Sequence, residues 1–109
     1  AALENFSNVS ADRKVAMLGD MLELGEDSMA EHVTVIRSVA SRKFGSTYFV
    51  GKEFTAASQK FTVPELTGMH FFATSDALAE YLSSHDLSGA TVLIKGSRGT
   101  RMEKVIPVL

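Results

Sequence analysis

A chain of 109 residues that is 45% hydrophobic and 22% charged can bury one core, which argues against a disordered segment and for a single domain. Its formal net charge of -2 and pI near 5.9 leave no sustained basic surface, so neither nucleic acid nor an anionic membrane is expected as a partner. The absence of cysteine excludes disulfides, cysteine-based metal sites and a thiol nucleophile and is compatible with a cytoplasmic location, and no apolar run approaches the ~20 residues of a membrane span.

Ala1 to Phe6 reads as a helix already under way, with Leu3 and Phe6 on one face and no initiator Met, so the chain is expected to be a piece of a longer polypeptide. After a polar turn from Ser7 to Asp12, the run from Lys14 to Leu18 predicts the first strand, stopped by Gly19-Asp20. An acidic loop through Asp27 follows, and Ser28, with Glu31 at capping-box distance, predicts a helix start. Met29, Val33, Ile36 and Ala40, flanked by His32, Val35 and Val39, recur at helical period through about Lys43, with Gly45 as the left-handed cap. Thr47 to Val50 predicts the second strand, stopped by Gly51-Lys52, and a short helix from about Phe54 to Phe61 follows.

Thr62 to Gly68, with its Pro64, is expected to be irregular before a third strand over His70 to Ala73. Ser75 is the expected cap of a helix whose buried stripe is Ala77, Leu78, Tyr81 and Leu82. Thr91 to Ile94 then predicts a fourth strand buried on both faces. Beyond it come Lys95, the loop Gly96-Ser97-Arg98-Gly99, and a helix opened by Thr100 and Glu103 that carries Met102, Val105 and Ile106, with the C-terminus expected to be the natural one. Strands alternating with helices at this spacing imply an α/β domain with a mainly parallel sheet and right-handed crossovers.

Functional loops in such a sheet gather at the carboxyl ends of its strands, here Gly19-Asp20, Gly51-Lys52, Thr74-Ser75 and Lys95-Gly96. The last of these is the most suggestive. Glycines that allow close backbone approach, a helix N-terminus, and the cations Lys95, Arg98 and Arg101 would suit a phosphate or carboxylate; the competing reading is an ordinary turn with solvated cations. Asp20, Glu23, Glu26 and Asp27 have the oxygen ligands for a hard cation but not the spacing of an EF-hand, and an acidic stretch leading into a helix N-terminus is the simpler account. His32 can face either the loop or the core. His70 and His85 have no partners at ligand spacing, and Met17, Met21 and Met29 read as core filler. With no P-loop, no G-x-S-x-G and no metal-binding His pair, the chain is expected to catalyse nothing alone.

The stretch VAMLGDMLELGEDSMAEH, with Ser28 and His32, and the far segment TVLIKGSRGTRMEKVIPVL together resemble the C-terminal domain of the Mur ligase family over essentially the whole chain. They are most similar to members that join D-alanyl-D-alanine to UDP-N-acetylmuramoyl-tripeptide. The resemblance implies a Rossmann-like, three-layer αβα domain spanning residues 1–109 of a three-domain cytoplasmic enzyme of peptidoglycan synthesis. It implies ATP and Mg2+ as cofactors of the intact enzyme, an acyl phosphate of the tripeptide as intermediate, and closure on a central ATP-binding domain of the same chain. By the same resemblance Asp20, Lys95, Ser97 and Arg98 would face the closing cleft as nucleotide- or substrate-binding residues, shaped by Gly96 and Gly99. A stand-alone nucleotide- or anion-binding module is one alternative. A phosphoacceptor receiver domain is another: Asp20 and Lys95 fit it, but the third-strand aspartate has no counterpart.

Overall fold

The computed structural model describes residues 14–21, 25–42, 46–85 and 90–95. Four strands, β1 (Lys14–Gly19), β2 (Ser46–Val50), β3 (Met69–Phe72) and β4 (Thr91–Lys95), alternate with three helices, α1 (Ser28–Arg42), α2 (Lys52–Ser58) and α3 (Ser75–Leu82). All pairings are parallel and the order is β3-β2-β1-β4. The expected α/β class and parallel sheet are therefore what the chain forms.

β1 sits between β2 and β4, and Val15, Ala16 and Met17 have no exposed surface. Period-2 alternation sends Ala16 and Leu18 to one face, where Ile36 and Val39 of α1 and Phe54 and Ala57 of α2 close over Phe49. Val15 and Met17 go to the other face, against Leu78 and Leu82 of α3. The result is three layers. The chain steps from β1 to β2 to β3 in one direction and then returns past β1 to β4, and crossovers of one hand running in opposite directions lie on opposite faces.

Several sequence-based expectations shift. The buried stripe of α1 is His32, Ile36 and Val39, while Met29 is 36% exposed, so the helix is rotated by about one position and Met29 is not core filler. α2 starts at Lys52, before Phe54, because Gly51 ends β2 and Asp20 caps the turn at once. Thr74, not Ser75, is the N-cap of α3: its hydroxyl accepts the Ala77 N–H at 3.1 Å, and Ser75 is buried as the first helical residue. The segment expected to be irregular holds a 3-10 turn over Val63–Leu66, closed by Thr62 and Glu65. β4 is half-buried rather than buried on both faces, since among the described strands it pairs on one side only. No helix among the described residues is long and apolar enough to cross a membrane. The expected Gly45 cap, the opening and closing helices, and the loop Gly96-Ser97-Arg98-Gly99 lie outside the described residues.

Candidate functional site: the carboxyl edge between β1 and β4

In a parallel sheet every strand ends on the same edge, and a ligand crevice forms where the strand order reverses. Here the reversal falls between β1 and β4. Lys95 pairs in register with Leu18, so it stands beside the end of β1, two residues short of Asp20. Leu93 packs on the α1/α2 face and Val92 and Ile94 on the opposite one, which by alternation puts Lys95 on the α1/α2 face, the side on which Asp20 also acts. Lys95 is exposed. The structure thus brings Asp20 and Lys95 to one edge, while Gly96, Ser97, Arg98 and Gly99 follow Lys95 outside the described residues.

Asp20 does something there that its sequence context does not reveal. Its N–H donates to the Val50 carbonyl at 2.9 Å, extending the β1–β2 ladder by one bond. Its carboxylate turns onto the first turn of α2, where Oδ2 accepts the Glu53 N–H at 2.9 Å and Oδ1 the Phe54 N–H at 3.0 Å. A helix N-terminus presents unsatisfied N–H groups and a partial positive charge, and a carboxylate answers both. Only 4% of Asp20 is exposed. Gly51 makes room for it: with φ at +121° the residue is in a region L side chains rarely adopt, and a Cβ there would overlap the Asp20 carboxylate.

His32 completes the corner. The Met21 N–H donates to Nε2 at 3.0 Å, and Nδ1 lies 2.6 Å from the Ser28 carbonyl oxygen. An amide can only donate and a carbonyl can only accept, so the ring carries its proton on Nδ1 and a lone pair on Nε2. The 3.8 Å approach of Nε2 to Asp20 Oδ1 is therefore a contact and not a charge pair. The ring packs edge-on to Phe54 at 4.6 Å. Ser28 Oγ donates to Glu53 Oε2 at 3.2 Å, so its hydroxyl reaches across to α2 instead of closing a capping box with Glu31, which is exposed. Asp20, Met21, Ser28, His32 and Glu53 thus form a closed ring of polar contacts around the ends of β1, α1 and α2.

Of the residues singled out from sequence as possible cation ligands, Asp20 serves the α2 cap, Glu26 and Asp27 are exposed in a 3-10 turn before α1, and Glu23 lies outside the described residues. Among the described residues, no three acidic or histidine side chains converge on a common point that could hold a metal ion. Gly51 and Glu53 were missed as partners of Asp20. The available signal was glycine at a strand end followed by a helix; nothing in it indicates that the capping carboxylate comes from β1.

Residues 1–98 match the family model described as "Mur ligase, glutamate ligase domain". A UDP-N-acetylmuramoyl-tripeptide--D-alanyl-D-alanine ligase of Treponema pallidum is 35% identical over 111 residues, covering 100% of this chain and 24% of that protein. A crystal structure of MurF from Acinetobacter baumannii is 27% identical with a TM-score of 0.77, covering 96% of this chain and 24% of that one. The MurF ligase of Thermotoga maritima, solved in complex with ADP, has a TM-score of 0.68 at 22% identity, covering 98% of this chain and 23% of that one, a likeness of fold alone. The chain spans about a quarter of the length of the relatives it matches.

Proposed function

We propose, from the premise that this chain belongs to the Mur ligase family as its C-terminal, glutamate ligase domain, that it forms the closing part of an ATP-dependent ligase adding D-alanyl-D-alanine to UDP-N-acetylmuramoyl-tripeptide. The observation that carries this reading is that likeness to a ligase named for that reaction runs over the whole chain, at 35% identity. In the proposed reaction the tripeptide carboxylate attacks the γ-phosphorus of ATP, releasing ADP and leaving an acyl phosphate. The dipeptide amine then attacks the acyl carbon, phosphate leaves, and an amide remains. ATP and Mg2+ are held on the central domain of the same polypeptide, outside this chain, and the enzyme works in the cytoplasm.

This domain supplies an electropositive edge. Lys95 stands exposed at the sheet edge beside the reversal of strand order, and Gly96, Ser97, Arg98 and Gly99 follow it in the sequence. A cation brought up on closure stabilises negative charge on ATP phosphates, the acyl phosphate or the dipeptide carboxylate. Asp20, whose carboxylate is bonded to α2, contributes by shaping the β1 side of that crevice.

The test is steady-state kinetics of the intact ligase, varying ATP and D-alanyl-D-alanine separately. ADP release should require both tripeptide and dipeptide, and Lys95→Ala or Arg98→Ala should lower kcat/KM by roughly ten- to a hundred-fold, the worth of one charge-assisted hydrogen bond made on closure. Lys95→Ala should barely move the melting temperature, because its side chain is exposed. Unchanged kinetics in both variants would reduce Lys95 and Arg98 to solvated surface cations. The 109-residue chain alone should not turn over ATP; turnover abolished by Lys95→Ala would overturn the assignment of the chemistry to the central domain.

A further inference from the structure

His32 has no exposed surface and sits on α1, yet neither ring nitrogen serves the helix core; each bonds to one side of the β1–α1 connection. Nδ1–H holds the Ser28 carbonyl at the first residue of α1, and Nε2 holds the Met21 amide, the first N–H beyond Asp20. The ring is itself wedged by Phe54 against the helix that Asp20 caps. Without the imidazole, the part-buried Met21 N–H would lose its acceptor, and the chain at Met21 would shift to find another. Met21 lies two residues beyond the end of β1, the strand whose Leu18 pairs in register with Lys95.

From this geometry we infer that His32 is a positioning residue of the ligase reaction: through its Nε2 bond to the Met21 amide it holds the β1 wall of the crevice opposite Lys95. The inference rests on the proposed ligase function for the site's purpose and on the described hydrogen bonds for the device itself. With no exposed surface, His32 is placed to act through the Met21 backbone and not by direct contact with a substrate. It acts on geometry, and small displacements of a site's walls can lower rates strongly while leaving the fold intact.

Two conservative variants separate the two ring nitrogens. The amide of glutamine reaches the place of Nε2 and can accept from the Met21 N–H; that of asparagine reaches the place of Nδ1 and can serve only the Ser28 carbonyl. In the intact ligase, assayed where circular dichroism shows all variants folded, His32→Gln should stay within about threefold of the parent kcat/KM, and His32→Asn should fall roughly tenfold or more. A residue needed only for folding would instead give activities that follow the melting temperatures of the two variants, and that result overturns the inference. Hydrogen exchange at the Met21 amide reads the device without any assay: protected in the parent and in His32→Gln, fast in His32→Asn. Equal protection in all three also overturns it. In the parent protein, 15N shifts of the ring should show Nδ1 protonated and Nε2 bare, and a ring protonated on Nε2 would remove the acceptor on which everything depends. If the parent enzyme lacks dipeptide-dependent activity while exchange behaves as stated, the proposed function fails and the clamp stands.

Discussion

Two carboxylates in this domain do the same job in opposite settings. Asp20 accepts two backbone N–H groups of α2 from 33 and 34 positions away, inside the fold. Glu65 accepts the Thr62 N–H at 2.7 Å and the Thr62 hydroxyl at 2.9 Å from three positions away, in full view of solvent. Both close the start of a short helical turn. Water can replace Glu65's service at little loss, whereas it reaches Asp20's poorly, because the carboxylate is 4% exposed and its bond to the Phe54 N–H is buried. A cap is worth what its absence would leave unsatisfied.

The largest effect should come from Gly51→Ala, which places a methyl group within the Asp20 carboxylate and forces an unfavourable φ; equilibrium denaturation should show a loss of about 3 kcal/mol or more. Asp20→Ala should follow at about 2 to 4 kcal/mol, since two N–H groups lose their charged acceptor. The two should not add: with Asp20 truncated, the added methyl has room and only the φ strain remains, so the double variant should be more stable than the sum implies. Additivity would mean that the carboxylate and Gly51 are not the coupled pair they look to be.

Gly25 tests the glycine side of the same comparison. Its φ is +59° but nothing lies within 4 Å of where a Cβ would be, so Gly25→Ala should lose only about 1 kcal/mol and Gly25→Asn less, by the same denaturation measurement. The smallest change belongs to Glu65. The Thr62 N–H first, then the Thr62 hydroxyl, and lastly the nearby Arg37 charge hold its carboxyl below the usual glutamate range. A carboxyl whose pKa is depressed on folding adds stability above its unfolded pKa, and that contribution disappears as pH falls through the folded value. Glu65→Gln should therefore change stability slightly near neutral pH and flatten this small acid-side dependence. An NMR titration giving Glu65 an ordinary glutamate midpoint would break the contrast with Asp20 at its weak end.

Much of this architecture was legible in the chain as written. The apolar runs that begin at Lys14, Thr47 and Thr91, each bounded by glycine or charge, locate strands because they are short, uninterrupted and stopped by turn residues. The placement of Asp20 and Lys95 at one edge also follows from strand–helix alternation alone, since parallel strands share a carboxyl end. The failures are of another kind. Ser28 with Glu31 looks like a capping box, yet the Ser28 hydroxyl finds Glu53, 25 positions away; Ser75 looks like a cap, yet Thr74, with its extended backbone, does the capping. Period alone left the phase of α1 uncertain by one position, enough to decide whether Met29 or His32 faces inward.

What the sequence by itself determined was the alternation of strands and helices, the class of sheet and the edge that carries Asp20 and Lys95, because each depends on a residue and its near neighbours. Tertiary structure alone decided what Asp20, His32 and Gly51 do. Burial sets the value of a hydrogen bond and burial is a property of the whole packed corner: until β1 and β2 lie side by side, the Asp20 carboxylate has no helix to cap, and until Phe54 closes over it the His32 ring has no reason to choose the Met21 amide over water.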